Sequence, residues 1–471
     1  MLFNSISFLL FFPLVSFFYY LLPNNKCRTW FLLLASFYFY MCWKPIYAIL
    51  LFVSILITYF GGMLIAKANG RKNKKRWLSL PVILLSLLLI YYKYFNFLAQ
   101  SIADLLNVMG MNLKIEGWDI LLPLGISFFL FKSISYLIDI YRGKIEVEND
   151  FHLLALYVSF FPQLIAGPIE KAERLIPQFK KKVEFDGRNV SLGLKMMLWG
   201  YFMKLVFANR ACIYVDAVYG NLHQHNGTSI LLAAIIYSFQ IYCDFAGYSL
   251  LSIGCAKVMG YNVMDNFKRP YFAASISEFW KRWHISLTKW LTEYIYISLG
   301  GNRCTKLRQY RNIMMTFLVS GLWHGAAWNF IIWGGIHGVV QIVEKHFGFA
   351  KVEKPLLVKA FRILFTFFVV TLAWIFFRME DFSEALYAIK MIFTSVGKPF
   401  VTGDATRAIE FTALAFLLIF GKEVLDEFAP NNFKMFENNN IVVRYVSYTA
   451  IVILLLLTGV FDDSQFIYSQ F

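Results

Sequence analysis

Charge is scarce in this chain. Of its 471 residues only 16% are Asp, Glu, Lys or Arg, while 59% are hydrophobic; an average soluble domain has roughly 25% and 45–50%. No polar stretch within it is large enough to fold as a separate soluble domain, which excludes an internal soluble catalytic module. Cysteine is sparse too. Cys27, Cys42, Cys212, Cys243, Cys255 and Cys304 include no C-x-x-C pair, so neither a disulfide framework nor a zinc site is expected. The first apolar run, Phe3 to Leu22, lacks a basic leader and a small-residue cleavage pattern. That argues against a removable signal peptide and for a retained first span. Acidic residues are the scarcer sign, 29 against 45 basic, for a net charge of +16. Such an excess often marks a nucleic-acid partner, but here the basic residues sit in short clusters between apolar runs. That placement fits the positive-inside rule of membrane proteins, and no nucleic acid is expected.

What is abundant is apolar sequence in runs of membrane-spanning length. The expected fold is all-α: one polytopic domain over residues 1–471 with about 11–13 spanning or re-entrant helices. It divides into N-terminal spans (1–141), a cytoplasmic re-entrant region (142–190), a core (191–345) and C-terminal spans (360–471). The densest basic loop, Lys67 to Arg76, follows three apolar runs, so a cytoplasmic position for it puts the N-terminus outside. Leu78 to Leu98 then returns outward and leaves Ala99 to Trp118, with Lys114 as its only basic residue, on the outer face. Phe151 to Pro168 is apolar but broken by Pro162, Gly167 and Pro168, which reads as re-entrant or interfacial.

Two histidines organise the most informative stretch. Ile276 to Ser298 is amphipathic at helical period, with Trp280, Trp283, Leu287 and Leu291 on one stripe. His284 falls on that stripe and away from the charged face. Further on, G-L-W-H-G (321–325) and G-G-I-H-G (334–338) place His324 and His337 thirteen residues apart. On one straight helix they would point about 220° apart, so they share a face only if the run breaks near the glycines. Both motifs also read G-x-x-x-G, the spacing that lets helices approach closely.

A histidine at membrane depth is costly and is a functional-site hypothesis by default. With an ordinary pKa near 6.5 it suits general-base work on a hydroxyl; proton relays and transporters use the same residue in the same setting. His324 and His284 are the candidate catalytic pair. His337 competes with a purely structural role. Asp244, Trp280, Arg282, Trp323 and Asn329 are candidate substrate-binding residues; for Asp244 the alternative is a buried ion pair, and for the tryptophans it is packing. Lys268, Arg269, Lys281, Arg282 and Arg303 are placed to meet a phosphorylated donor from the cytoplasmic side. His152, His223, His225 and His346 read as loop or interface residues.

The combination of E-F-W-K-R-W-H-I-S-L (278–287), Y-I-S-L-G-G-N-R (296–303) and G-L-W-H-G-A-A-W (321–328) closely resembles the membrane-bound O-acyltransferase (MBOAT) family. F-F-P-Q-L-I-A-G-P-I (160–169), D-F-A-G-Y-S (244–249) and N-F-K-R-P-Y (266–271) support it, and the G-G-N-R block with the C-terminal F-I-Y-S-Q-F favours its acetyltransferase branch. Within the family the chain is similar to the alginate O-acetyltransferase membrane subunit and its peptidoglycan- and exopolysaccharide-acetylating relatives; teichoic acid D-alanyl transfer proteins resemble it more distantly. The resemblance implies that His324 is the buried catalytic histidine and His284 a second functional one. It also implies tilted helices around a central tunnel, in a bacterial inner membrane and among its lipids. The donor would be acetyl-CoA, used as a substrate with no permanently bound cofactor or metal. The acceptor would be an extracytoplasmic polysaccharide, reached through a partner O-acetyltransferase. D-alanyl transfer from a carrier-protein thioester, an acyl or glycolipid transporter and a scaffold are the competing expectations.

Overall fold

The computed structural model describes residues 1–111, 117–349, 355–401, 403–429, 434–461 and 467. Among the described residues every regular element is helical. The chain divides into two compact units, Met1–Leu192 with Cys255–Met264, and Gly193–Gly254 with Asp265–Phe471. Among the described residues, six helices or joined helices are long and apolar enough to cross a membrane: Tyr47–Lys67, Arg71–Val108, Gly187–Tyr219, Gly227–Val258, Leu356–Arg378 and Ile441–Thr458. This is an all-α, multi-pass membrane protein.

The first unit begins with α1 (Ile6–Leu21), α2 (Asn25–Met41), α3 (Tyr47–Lys67) and α4 (Arg71–Leu89). The buried guanidinium of Arg28 joins α1 to α2 by donating to the carbonyls of Leu22 at 2.8 Å and Tyr20 at 3.1 Å. It thereby satisfies groups that a helix end leaves unpaired. The expected basic loop is shorter than the sequence suggested. Only Ala68–Gly70 lies outside the helices, and Arg71 to Arg76 wind into the start of α4.

The stretch from Ala99 begins as helix. A π-helical turn at Ile90–Tyr94 carries the chain directly into α5 (Phe95–Val108). The reason is local: Ala99 to Val108 contains no Gly or Pro, and the helix stops only before Gly110, where φ is 89°. Lys114 lies outside the described residues, as does the C-terminal motif apart from Ile467.

α6 (Ile126–Tyr141) packs against α3 and α4, and α7 (Phe151–Ser159) against α2 and α3. The break foreseen near Pro162 occurs: α7 ends before Phe160 and a single turn, α8 (Phe161–Leu164), follows. The buried Lys132 of α6 donates to the Tyr157 carbonyl in the last turn of α7 and to Gln163 Oε1 at 3.2 Å. A cation at a helix C-terminus meets both the exposed carbonyls and the negative end of the dipole. His152 lies flat against Trp30, ring centroids 5.0 Å apart. α9 (Ala172–Lys180) completes the local order before α10 (Gly187–Tyr201), which enters the second unit.

In the second unit, α10 runs through a π-helical stretch, Phe202–Ala208, into α11 (Asn209–Tyr219), and α12 (Gly227–Val258) is 32 residues long. At about 1.5 Å per residue α12 exceeds the thickness of a bilayer core. α13 (Ile276–Arg282) and α14 (Ile285–Leu291) are short; α15 (Lys306–His324) and α16 (Trp328–His346) form an antiparallel hairpin. α17 (Leu356–Arg378), α18 (Phe382–Thr394), α19 (Gly403–Phe428) and α20 (Ile441–Thr458) end the order.

Candidate active site

The site grows from two helix ends. His324 is the last residue of α15, and the chain breaks at Gly325–Ala327 before α16. The break resolves the expected conflict between the two G-x-x-H-G motifs, because the hairpin folds them against each other. A methyl group at Gly321 would lie 2.1 Å from the Phe330 carbonyl oxygen, and one at Gly334 would lie 2.3 Å from that of Phe317. Only glycine permits backbones this close. The hairpin sets Trp333 between the two histidines, its ring 5.0 Å from both His324 and His337.

His284 occupies a different kind of end. The single amphipathic helix expected over Ile276 to Ser298 is broken at Trp283–His284, and His284 adopts φ 41°, ψ 54° as the N-cap of α14. Left-handed backbone costs an L-residue with a Cβ roughly 1–2 kcal/mol, so tertiary contacts must hold it. They come from Asn266. Its backbone carbonyl accepts from the Ile285 amide at 2.9 Å, and its Oδ1 accepts from the Ser286 amide at 3.3 Å and the Ser286 hydroxyl at 2.9 Å. The first orphan donors of α14 are thus satisfied from elsewhere in the sequence.

The two rings meet. His284 is fully buried and His324 nearly so, with centroids 6.4 Å apart and planes at 61°. Trp323 lies 5.6 Å from His284, Phe245 lies 4.7 Å from it on another side, and Phe377 lies 5.5 Å from His324. His284 stands outside the six candidate spans, and desolvation by burial pushes its ring down to about 3. Burial thus favours the neutral ring over the imidazolium.

Trp280 adjoins this cluster, 5.1 Å from His337 and 5.6 Å from Trp333. It also walls a cavity of about 410 Å³ within the second unit. Leu291, Ile313 and Phe317 supply apolar wall, Lys281, Asn302 and Lys345 a polar rim. Ser320, one turn before His324 on α15, also lines it. Trp280 in turn contacts Trp333, whose ring lies 5.0 Å from His324. The α13 wall is tied to α16 by Glu344, which accepts from the amides of Ile276 at 2.6 Å and Ser277 at 3.1 Å.

Three other candidates are engaged by other groups. Asp244 shares α12 with Phe245, but successive helical residues diverge by about 100°, and its carboxylate meets Lys204 at 2.5 Å and the Ile467 amide at 2.8 Å. Its surroundings are those of the buried ion pair that competed with the binding role. Asn329 donates to the Met379 carbonyl at 2.8 Å. Arg282 is held by Glu278 at 2.7 Å and Glu427 at 2.9 Å, and Arg269 by Glu427 at 2.6 Å. Of the basic residues expected to meet a donor, Lys281 is the one that lines the cavity, while Lys268 and Arg303 are exposed. His223 pairs with Glu384 at 3.1 Å, His225 packs on Phe400 and His346 bonds Tyr310.

Asn266, Ser286, Phe245 and Trp333 were not singled out as site residues. For Asn266 the available signal was N-F-K-R-P-Y, a motif whose partner lies eighteen residues further on.

A multi-pass helical protein that keeps two histidines in ring contact beside a polar-rimmed cavity is equipped either for group transfer or for proton-coupled transport. Residues 150–380 match the membrane-bound O-acyltransferase family. A probable alginate O-acetylase AlgI of Pseudomonas syringae is 37% identical over 427 residues, covering 88% of this chain and 81% of the relative. A peptidoglycan O-acetyltransferase of Helicobacter pylori is 36% identical, covering 77% and 73%. A teichoic acid D-alanyltransferase of Bacillus subtilis is 27% identical, covering 48% and 59%. The chain belongs to the membrane-bound O-acyltransferase family, and it is an O-acyltransferase.

Proposed function

We propose that the chain takes an acetyl group from cytosolic acetyl-CoA and passes it through the membrane for O-acetylation of an extracytoplasmic polysaccharide. The observation that carries this reading is the buried His284–His324 pair set behind the cavity lined by Lys281, Lys345 and Ser320. The basic segment from Arg303 to Arg311 lies at the same end of the α15–α16 hairpin as Lys345, and by the positive-inside rule that end faces the cytoplasm. A donor with a phosphorylated head and a thioester tail matches a cavity that Lys281 and Lys345 line together with Glu344, and to which Leu291, Ile313 and Phe317 give an apolar wall.

In this mechanism the acceptor hydroxyl attacks the thioester carbonyl while His324 takes its proton. The new C–O bond forms, the C–S bond breaks, and the proton passes to the departing thiolate, giving ester and free CoA. His284 positions the donor or shares that proton. A passage through the helices brings donor and acceptor together from opposite faces of an inner membrane. A separate extracytoplasmic transferase then moves the acetyl group onto the polymer, in line with the alginate and peptidoglycan activities named for the relatives.

The test is thioester cleavage by the purified protein in nanodiscs, followed with a thiol reporter, and repeated in host membranes where any partner is present. His324→Ala is expected to lower CoA release at least about 10³-fold, near the upper range for loss of a general base, while the protein elutes as wild type does. Undiminished release would end the reading. A D-alanyl carrier-protein thioester consumed in preference to acetyl-CoA would move the chain to the D-alanyl class.

A further inference from the structure

The geometry points to Asn266 as the positioning residue that fixes the tautomer of His284. We propose that its side chain holds His284 with the proton on Nδ1, leaving Nε2, on the far side of the ring, as the nitrogen that carries the lone pair. The inference rests on the reading of His284 as part of the acyl-transfer site, and it adds a chemical assignment to that reading.

The argument begins with a donor of fixed identity. The backbone amide of Ser286 can only donate, and it points at Asn266 Oδ1 from 3.3 Å. The atom it faces is therefore the amide oxygen and not the nitrogen. The amide nitrogen of Asn266 turns the other way, to the Ser249 hydroxyl at 3.1 Å. Oδ1 then has no proton to give, and His284 Nδ1 lies 3.1 Å from it. An acceptor facing a ring nitrogen at that distance makes the nitrogen a donor. All of these groups are buried: Asn266 is 1% exposed, His284 0%, Ser249 and Ser286 2%. A mismatched pair here would cost the desolvation of both partners, so the preference for one tautomer is strong.

The same residue fixes the backbone. The Asn266 carbonyl accepts from the Ile285 amide, and two residues along the loop the Lys268 amide donates to the Arg282 carbonyl at 2.8 Å. Segments 266–268 and 282–285 are thereby laced together around the left-handed His284. Glu427, which holds both Arg269 and Arg282, adds a clamp just outside the lacing. Ring orientation and tautomer are thus set from one loop. That is the arrangement by which a neighbour orients a functional imidazole without touching the reactants.

The experiment uses the full chain in nanodiscs, labelled with ¹⁵N-histidine, with His284→Gln identifying the resonance. Wild type is expected to show His284 Nδ1 protonated and Nε2 bare. In Asn266→Leu, which keeps volume and removes the acceptor, the two tautomers are expected to mix, and turnover with acetyl-CoA should fall about 10–100-fold in kcat with KM little changed. Asn266→Asp retains an acceptor for Nδ1–H and for both Ser286 donors. It should restore the Nδ1–H signal and bring turnover within about 10-fold of wild type, so the claim stays testable if the leucine variant does not fold. An unchanged tautomer in Asn266→Leu, or loss of Nδ1–H in Asn266→Asp, overturns the proposal. So does unchanged turnover alongside a changed tautomer. The ring signal is read without turnover, so failure of the acetyl-CoA reading is seen separately as absent thioester cleavage in wild type.

Discussion

At the scale of single residues, burial decides what a polar group can do. Lys204 and Asp244 are 2% and 1% exposed and lie 2.5 Å apart. Burying such a pair gains little net stability, whereas removing one partner strands a charge and costs roughly 3–5 kcal/mol. Asp244→Leu is therefore expected to lower the melting temperature sharply in detergent, and Lys204→Met with Asp244→Leu to recover most of the loss. The same two proteins separate the roles considered for Asp244. If the carboxylate serves only structure, the double variant regains thioester turnover along with its stability. A stable but inactive double variant would return Asp244 to the site. From sequence this residue was ambiguous because Y-C-D-F-A-G-Y shows a carboxylate in an apolar run without showing its partner, forty residues earlier in the chain.

At the scale of elements, the two histidines differ in how far the sequence foretold their setting. For His324 and His337 much was legible: glycine spacing pointed to close helix contact, and the 220° offset on one straight helix left a shared face possible only with a break near the glycines. Both follow from local chemistry, and both are found. For His284 the periodicity was real but the helix was not continuous. Residues 276–291 keep their apolar stripe on either side of the break, so the pattern alone reads as one helix. What interrupts it is Asn266, a partner that no window centred on the stripe contains.

The hairpin offers a matched test. A methyl at Gly334 would meet the Phe317 carbonyl oxygen at 2.3 Å, while one at the adjacent Gly335 would find Leu318 Cδ2 at an ordinary 3.7 Å. Gly334→Ala is expected to cost about 1–3 kcal/mol of stability, the usual penalty for overpacking. It should also reduce turnover by displacing Trp333 from between His324 and His337. Gly335→Ala is expected to behave as wild type in both thermal unfolding and thioester cleavage. Equal behaviour of the two variants would contradict the close approach.

At the scale of the whole molecule, function depends on which face of the membrane each end of the site meets, and free thiols can report it. If the basic start of α4 is cytoplasmic and α1 to α3 each cross the membrane, the N-terminus and the α2–α3 turn are expected outside, and the α1–α2 turn inside. Cys42 follows α2 and Cys27 lies in its first turn, and both are exposed. A membrane-impermeant maleimide applied to intact cells, with the outer envelope opened where one exists, is therefore expected to label Cys42. Cys27 should react only after the inner membrane is permeabilised, and so should Cys304, which follows G-G-N-R before the basic start of α15. Single-cysteine variants retaining Cys27, Cys42 or Cys304 in turn make each signal unambiguous. If Cys42 is protected and Cys27 labelled in intact cells, the first unit is inverted. Labelling of Cys304 from outside would place the polar rim of the cavity, which includes Asn302 and Lys345, in the extracytoplasmic space. A cytosolic thioester does not reach that compartment, so this outcome would remove the donor from the proposed reaction even if both histidines proved essential.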